Sequence, residues 1–289
     1  MNPLDSQTEK LIETALAEDI GRGDITSEVL IPADLQGKAY IQAKAAGIVA
    51  GTEIAARAFN KVDPLLKIEI LIKDGNGVKP KDIIMTVSGN VRSILKTERT
   101  ALNFLQRLSG IATMTAQYVA QVTGTHAVIS ETRKTTPGLR PQEKYAVRMG
   151  GGRNHRLDLA DAILIKDNHF LALKALGRSY KDIVAKAKQN APEGKIVEAE
   201  ATTVSEAIEA MEGGADIVML DNMSIDNMRQ TVAKLGSRVK LEASGGVNLE
   251  NVQAIAETGV DIISIGALTH SVKALDISLE LEPQTFMMV

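Results

Sequence analysis

Apolar and polar residues follow two different rhythms along this chain, and the change between them divides it. From Leu4 to Ala17 the apolar positions Leu4, Leu11, Ile12, Ala15 and Leu16 share one helical face, which predicts an amphipathic helix. After the turn-rich segment Asp19–Asp24 come short strand-like runs at Lys38–Ala43, Ile48–Ala50, Lys67–Ile72 and Ile83–Val87. Gly and Asp turns such as Lys73-Asp-Gly-Asn-Gly77 separate them, and a helical stretch, Glu53–Val62, lies between. This mixture predicts a small α+β domain. A long helix is predicted from Thr97, read as its N-cap with Glu98 in the first turn, because Ala101, Leu102, Leu105, Leu108 and Ile111 recur at helical spacing.

Beyond that helix the rhythm becomes strand–loop–helix. Continuously apolar runs occur at Ala127–Ser130, Ala162–Ile165, Ile196–Ala199, Ile217–Leu220, Val239–Ala243 and Ile262–Ile265. Helical patterns at Thr203–Glu212, Ile225–Leu235 and Leu249–Glu257 fall between the later ones. Such alternation predicts a parallel sheet covered by helices. The absence of a dinucleotide fingerprint favours a closed, barrel-like sheet over an open nucleotide-binding one.

Composition narrows the function classes. The 289 residues carry 33 Lys+Arg against 36 Asp+Glu, a net charge of −3, with 44% hydrophobic and 24% charged residues, as expected of a globular protein. There is no cysteine, which excludes disulfides, thiolate nucleophiles and cysteine-ligated metals. Aromatics are 3%, and with the mild acidity this argues against a nucleic-acid binder. Met1–Lys10 is polar, so no secretory signal is expected; Ser109, Thr113, Thr115, Gln117, Gln121 and Thr123 interrupt the uncharged stretch 108–130 too often for a membrane span. A cytoplasmic enzyme is the expectation.

In α/β barrels, ligand groups sit where strands end at their C-terminal side. Here those ends read Glu131-Thr-Arg-Lys134, Lys166-Asp-Asn-His169, Glu198 with Glu200, Asp221-Asn222, Ser244-Gly-Gly246 and Gly266-Ala267. They fall into three kinds. Arg133, Lys134, Arg140, Lys144, Arg148, Arg153, His155 and Arg156 face only Glu131 and Glu143, a basic run. Glu200 and Asp221 suit a hard cation such as Mg²⁺. The two glycine-rich ends suit a phosphate cradle. Each feature alone has a bland explanation: a solvated loop, helix caps, a tight turn. Together, at successive strand ends, they point to a polyanionic, phosphate-bearing substrate.

The runs Thr132–Arg140, Glu143–Val147, Gly150–Arg156, Leu164–His169, Met219–Asn222, Glu242–Gly246 and Ile265–Ser271 closely resemble those of the quinolinate phosphoribosyltransferases, in the family's order. So do Glu18–Thr26 and Glu98–Phe104. The resemblance implies an N-terminal α/β sandwich domain (1–112, with the tail 272–289 returning to it). Beside it comes an incomplete, open α/β barrel of the type II phosphoribosyltransferases (113–271). It implies transfer of ribose 5-phosphate from phosphoribosyl pyrophosphate to quinolinate with loss of CO₂, giving nicotinate mononucleotide and pyrophosphate in NAD biosynthesis. It also implies a homodimer or higher oligomer in which Arg99 enters the neighbour's site, Mg²⁺ as cofactor, and neither nucleic-acid nor membrane partners.

Matched to the family's motifs, Arg133, His155, Arg156 and Lys166 bind quinolinate, Thr132 is a further substrate-binding residue, and Lys134 neutralises the leaving pyrophosphate. Glu200 and Asp221 hold the ribose hydroxyls and the Mg²⁺-bound sugar diphosphate. Ser244, Gly245, Gly246, Ile265, Gly266 and Ala267 cradle the 5′-phosphate. Lys134, Lys166, Glu200 and Asp221 are the implied catalytic set. Two rivals remain at this level: a Schiff-base aldolase using Lys166 or Lys134, and a non-catalytic oxyanion- or metal-binding relative.

Overall fold

The computed structural model describes residues 5–288, so Leu4, counted above in the first helix, lies outside the described residues. In chain order the elements begin with α1 (Ser6–Ile20), α2 (Ile25–Leu30), β1 (Leu35–Ala43), β2 (Gly47–Ile48) and α3 (Thr52–Val62). Next come β3 (Lys67–Ile70), β4 (Gly77–Val78), β5 (Ile83–Asn90), α4 (Val91–Gln121), β6 (Val128–Ser130) and α5 (Arg140–Met149). Then follow β7 (Ile163–Ile165), α6 (Asp167–Lys174), α7 (Tyr180–Asn190), β8 (Val197–Ala201) and α8 (Val204–Glu212). The chain ends with β9 (Ile217–Asp221), α9 (Ile225–Leu235), β10 (Lys240–Ser244), α10 (Val252–Ala256), β11 (Ile262–Ser264), α11 (Ala267–His270) and β12 (Ile277–Met288).

Contacts divide these into two compact units. The first takes the described residues of Met1–Ala116, Thr136–Gly151 and Ser271–Val289; the second takes Gln117–Thr135 and Gly152–His270. In the first, an antiparallel sheet runs in the order β12-β1-β5-β3. On β1 every second side chain is buried, Ala39, Ile41 and Ala43 among them, which gives the sheet one core face. α1 is capped by Asp5, whose carboxylate accepts from Thr8 N at 2.8 Å. α3 is capped from a distance: Asp74 accepts from Gly51 N (2.9 Å), Thr52 N (3.0 Å) and the Thr52 hydroxyl (2.7 Å).

α4 begins at Val91, two turns before the expected start. Asn90 Oδ1 accepts from Ser93 N at 3.2 Å, whereas the fully buried Thr97 turns its hydroxyl back to Ser93 O at 2.8 Å. Thr97 is therefore a helix-interior residue, and Arg99 lies well inside the helix rather than at its positive end. The C-terminal strand is tied to α4 by Gln106, which accepts Leu275 N at 3.0 Å and donates to Ile277 O at 2.6 Å. Gly110 is required there, since a Cβ would come within 2.3 Å of Lys273 O.

The second unit is a six-stranded, all-parallel sheet in the order β6-β11-β10-β9-β8-β7. Among the described residues β6 and β7 do not pair, so the sheet is open; the closed barrel expected from the strand pattern alone is corrected, and the incomplete barrel implied by the resemblance is what is found. Outward-facing Ala199, Val218, Leu220, Leu241, Ala243 and Ile263 are fully buried, as a helix-covered parallel sheet requires. α5, which carries Arg140, Lys144 and Arg148, groups with the first unit. Those three residues fall in the first unit and the remainder of the basic run in the second.

Candidate active site at the barrel's C-terminal mouth

Strict alternation along the parallel strands gives the barrel interior three rows. At the N-terminal mouth stand Val128, Ala162, Ile196, Ile217, Lys240 and Ile262. At the C-terminal mouth stand Thr132, Lys166, Glu200, Asp221 and Ser244. Between them lie Ser130, Leu164, Glu198, Met219, Glu242 and Ser264. Branched apolar side chains normally fill the centre of an α/β barrel. Here four of the six are polar.

A cavity of about 260 Å³ opens at the C-terminal mouth. It brings together Thr132, Arg133, Lys134, His155, Arg156, Lys166, Glu200, Asp221 and Ser244. Gly245, Gly246, Ile265, Gly266 and Ala267 do not line it, and Arg99 is an exposed residue of the first unit. A larger cavity of about 480 Å³ opens at the opposite mouth; His155, Arg156 and Glu242 line both.

Unpaired polar atoms mark the interior. Among the described residues, buried side-chain atoms without a hydrogen-bond partner include Arg133 Nε, Glu198 Oε1, both Glu242 oxygens and Ser264 Oγ. Such atoms are rare in proteins unless a ligand or water completes them, and these line one shaft. Burial and the neighbouring Arg133 push Arg156 down, the signature of two guanidinium groups crowded into one pocket. Arg156 Nη1 donates to Ala162 O at 3.1 Å.

The acidic side of the cavity is tied to its basic side. Glu200 Oε2 accepts from Asp167 N at 2.9 Å, and Oε1 lies 3.5 Å from Lys166 Nζ. Asp221 accepts from Asn222 Nδ2 at 2.9 Å. This lysine is nearly half exposed and set against a carboxylate, without the enclosure that a desolvated Schiff-base lysine needs.

Asn222, at φ 52°, donates its amide to Ser244 O at 2.9 Å and presses on the next strand end. A Cβ on Gly245 would come within 2.3 Å of Asn222 Oδ1, so only glycine fits there. Thr269 donates to Lys134 O at 2.8 Å, and a Cβ on Gly266 would come 3.1 Å from Lys134 Cδ. These contacts draw the glycine-rich end of β11 to Lys134.

Glu198 and Glu242, which the strand-end reading left without a role, meet His155 in the middle row. Nε2 lies 3.2 Å from Glu198 Oε2 and 3.4 Å from Glu242 Oε2. Burial works against the imidazolium, but the two carboxylates outweigh it and hold His155 up to about 10. Burial and Glu242 push Glu198 up. On the other side of the ring, Arg156 N lies 2.9 Å from His155 Nδ1.

The three side chains also have ligand atoms all within 4.8 Å of one another.

The family model for the quinolinate phosphoribosyl transferase N-terminal domain matches residues 24–109, and that for the C-terminal domain residues 111–280. A probable nicotinate-nucleotide pyrophosphorylase (carboxylating) of Bacillus subtilis is 43% identical, over 95% of this chain and 93% of its own. The chloroplastic nicotinate-nucleotide pyrophosphorylase of Arabidopsis thaliana is 44% identical, over 95% of this chain and 82% of its own. The solved nicotinate-nucleotide pyrophosphorylase of Francisella tularensis superposes with a TM-score of 0.88 at 41% identity, covering 96% of both chains. The chain belongs to the quinolinate phosphoribosyltransferase family.

Proposed function

We propose that the cavity at the C-terminal mouth binds quinolinate and phosphoribosyl pyrophosphate, and that the chain joins them with loss of CO₂ to give nicotinate mononucleotide and pyrophosphate, a step of NAD biosynthesis. The observation that carries this is the pair of crowded guanidiniums, Arg133 with an unpartnered buried Nε and Arg156, beside Lys166 in one cavity. A dianion whose two carboxylates lie on adjacent ring atoms is what such a cage neutralises. Thr132 completes that wall.

Glu200 and Asp221 take the ribose hydroxyls. Two carboxylates on one wall fit Mg²⁺, which keeps several waters and is completed by substrate phosphates. When bound, the ion would neutralise charge on the departing pyrophosphate.

Among the chain's own groups, Lys134 faces the leaving group and adds positive charge there. The acidic pair favours the cationic ribosyl carbon as the glycosidic bond breaks. The pyridine nitrogen attacks without a general base because it carries no proton at neutral pH. Loss of CO₂ leaves an electron pair on the ring carbon that the adjacent positive nitrogen stabilises until a proton from water fills it, so no further cofactor is needed. Ser244, Gly245, Gly246, Ile265, Gly266 and Ala267 hold the 5′-phosphate through peptide groups, consistent with the buried Ile265 side chain. The same reading includes a cytoplasmic homodimer with the exposed Arg99 completing the neighbour's site. No helix among the described residues is long and apolar enough to cross a membrane.

Lys166→Met tests the assignment. Turnover of quinolinate should fall by roughly 10²-fold or more while the folded state is kept. Near-normal turnover would overturn the placement of the substrate.

A further inference from the structure

β9 and β10 are neighbours in the parallel sheet, and their last paired residues, Asp221 and Ser244, share one rung. The first residue beyond β9, Asn222, continues the ladder by donating its backbone N–H to Ser244 O at 2.9 Å. There the chain turns left-handed, at φ 52°. Among the described residues other than glycine, only Lys81, in an exposed turn of the first unit, shares a positive φ with it. A Cβ is strained in that region, and glycine relieves the strain. The neighbouring turn after β10 uses glycine twice, Gly245 at φ 91° and Gly246 at φ 64°. At 222 an asparagine takes up the same conformation, and its side chain makes two contacts that a glycine could not.

Asn222 Nδ2 donates to Asp221 Oδ2 at 2.9 Å, and the same amide group lies against Gly245, where it leaves no room for a Cβ. Asp221 and Ser244 line the cavity at the C-terminal mouth, whereas Asn222 does not. We propose that Asn222 is a positioning residue: it locks the Asp221 carboxylate and the turn at Gly245 into one geometry, so that the groups for the ribose hydroxyls and those for the 5′-phosphate stand at a fixed separation before the sugar phosphate arrives. Strained backbone held by its surroundings is a known device for such preorganisation, which lowers the ordering cost of binding one ligand at two ends. The inference rests on the reading that Asp221 and the Ser244–Gly246 turn hold the ribose 5-phosphate moiety. Asn222 acts through these two neighbours.

Asn222→Gly in the full-length protein separates this role from that of a turn residue. Glycine keeps the left-handed backbone without strain and removes both side-chain contacts, so the fold and its Tm should be kept. KM for phosphoribosyl pyrophosphate should rise about tenfold, with KM for quinolinate changed less than about twofold. Asn222→Asp keeps the shape of the side chain against Gly245 but sets a second carboxylate beside Asp221 in place of the donor. Its KM for phosphoribosyl pyrophosphate should rise at least as far. An unchanged KM for phosphoribosyl pyrophosphate in Asn222→Gly would leave the asparagine a turn residue only and overturn the proposal. Equal rises for the two substrates, or wild-type KM values in Asn222→Asp, would also overturn it.

Calorimetric titration with ribose 5-phosphate gives a readout that does not depend on turnover. Asn222→Gly should bind it about tenfold more weakly than the wild-type protein, and equal affinities would overturn the proposal. If the variant shows that weakening but the wild-type protein forms no nucleotide from quinolinate, the transferase reading has failed and the positioning role of Asn222 stands.

Discussion

Glu143 in the first unit and Glu242 in the second are both fully buried acids, and they are treated in opposite ways. Glu143 is saturated. Arg107 donates to it at 2.8 and 3.2 Å, Thr136 N at 3.1 Å and the Thr136 hydroxyl at 2.8 Å. Arg107 also reaches the Thr136 hydroxyl at 3.1 Å. Glu242 faces His155 at 3.4 Å and Glu198 beside it, and among the described residues neither of its oxygens makes a hydrogen bond. A buried charge that holds a fold together is closed off by its partners. One that serves a binding cavity keeps spare acceptors, and the stability forgone is recovered as preorganisation. The same contrast runs through both units. In the first, Tyr145 donates to Asp74 at 2.7 Å and α3 is capped by the same carboxylate, and Gln142 Oε1 is the buried side-chain atom left without a partner among the described residues of that unit. In the second, Glu198, Glu242 and Ser264 carry unmatched atoms in the middle row of the barrel.

Arg107→Ala should break the contrast most visibly. It strands Glu143 without its cation, and unfolding by urea should show a loss of roughly 3–5 kcal/mol. Glu242→Gln, although it changes an equally buried acid, should cost less than Arg107→Ala, because Glu198 still faces His155 at 3.2 Å and no hydrogen bond to Glu242 is lost. A large destabilisation there would make Glu242 a second Glu143.

The smallest effect belongs to the surface pairing of α1 with α3. Glu9 lies 2.7 Å from both Arg57 and Lys61, and hydrogen bonds from Lys61 and then Arg57 hold its carboxyl below the usual range. A lowered folded-state value stabilises above the unfolded carboxylate pKa and is lost as pH falls through the folded one. Glu9→Gln should therefore cost under about 1 kcal/mol at pH 7, and the two proteins should converge in acid. A gap that persists at pH 3 would contradict the ion-pair origin.

Much of the second unit was legible because its strands are short, apolar and regularly spaced. The six runs fall on β6 to β11, and the residues after them include the lining of the C-terminal cavity. The middle row was left without a role, although Glu198 was named, because the reading stopped at strand ends. One step of two residues inward leads from Glu200 to Glu198, from Ser244 to Glu242 and from Gly266 to Ser264. The openness of the sheet was not in the strand pattern, since closure depends on tilt and stagger that no single strand encodes.

In the first unit the start of α4 was misplaced because Thr97 mimics an N-cap, while Asn90 is the side chain that accepts from the first turn. α5 was hidden inside the basic run. Pro141 near its start and Glu143 in its first turn were the available signals. β12 shows clean alternation in Ile277, Leu279 and Leu281 against Ser278, Glu280 and Glu282, and its pairing with β1 spans most of the chain length.

The most direct test of the account combines the purified protein with Mg²⁺, phosphoribosyl pyrophosphate and either quinolinate or nicotinate, with nicotinate mononucleotide and CO₂ as readouts. The paired-carboxylate cage predicts both products from quinolinate and no nucleotide from nicotinate. Equal nucleotide formation from nicotinate, or none from quinolinate by the folded protein, would contradict it.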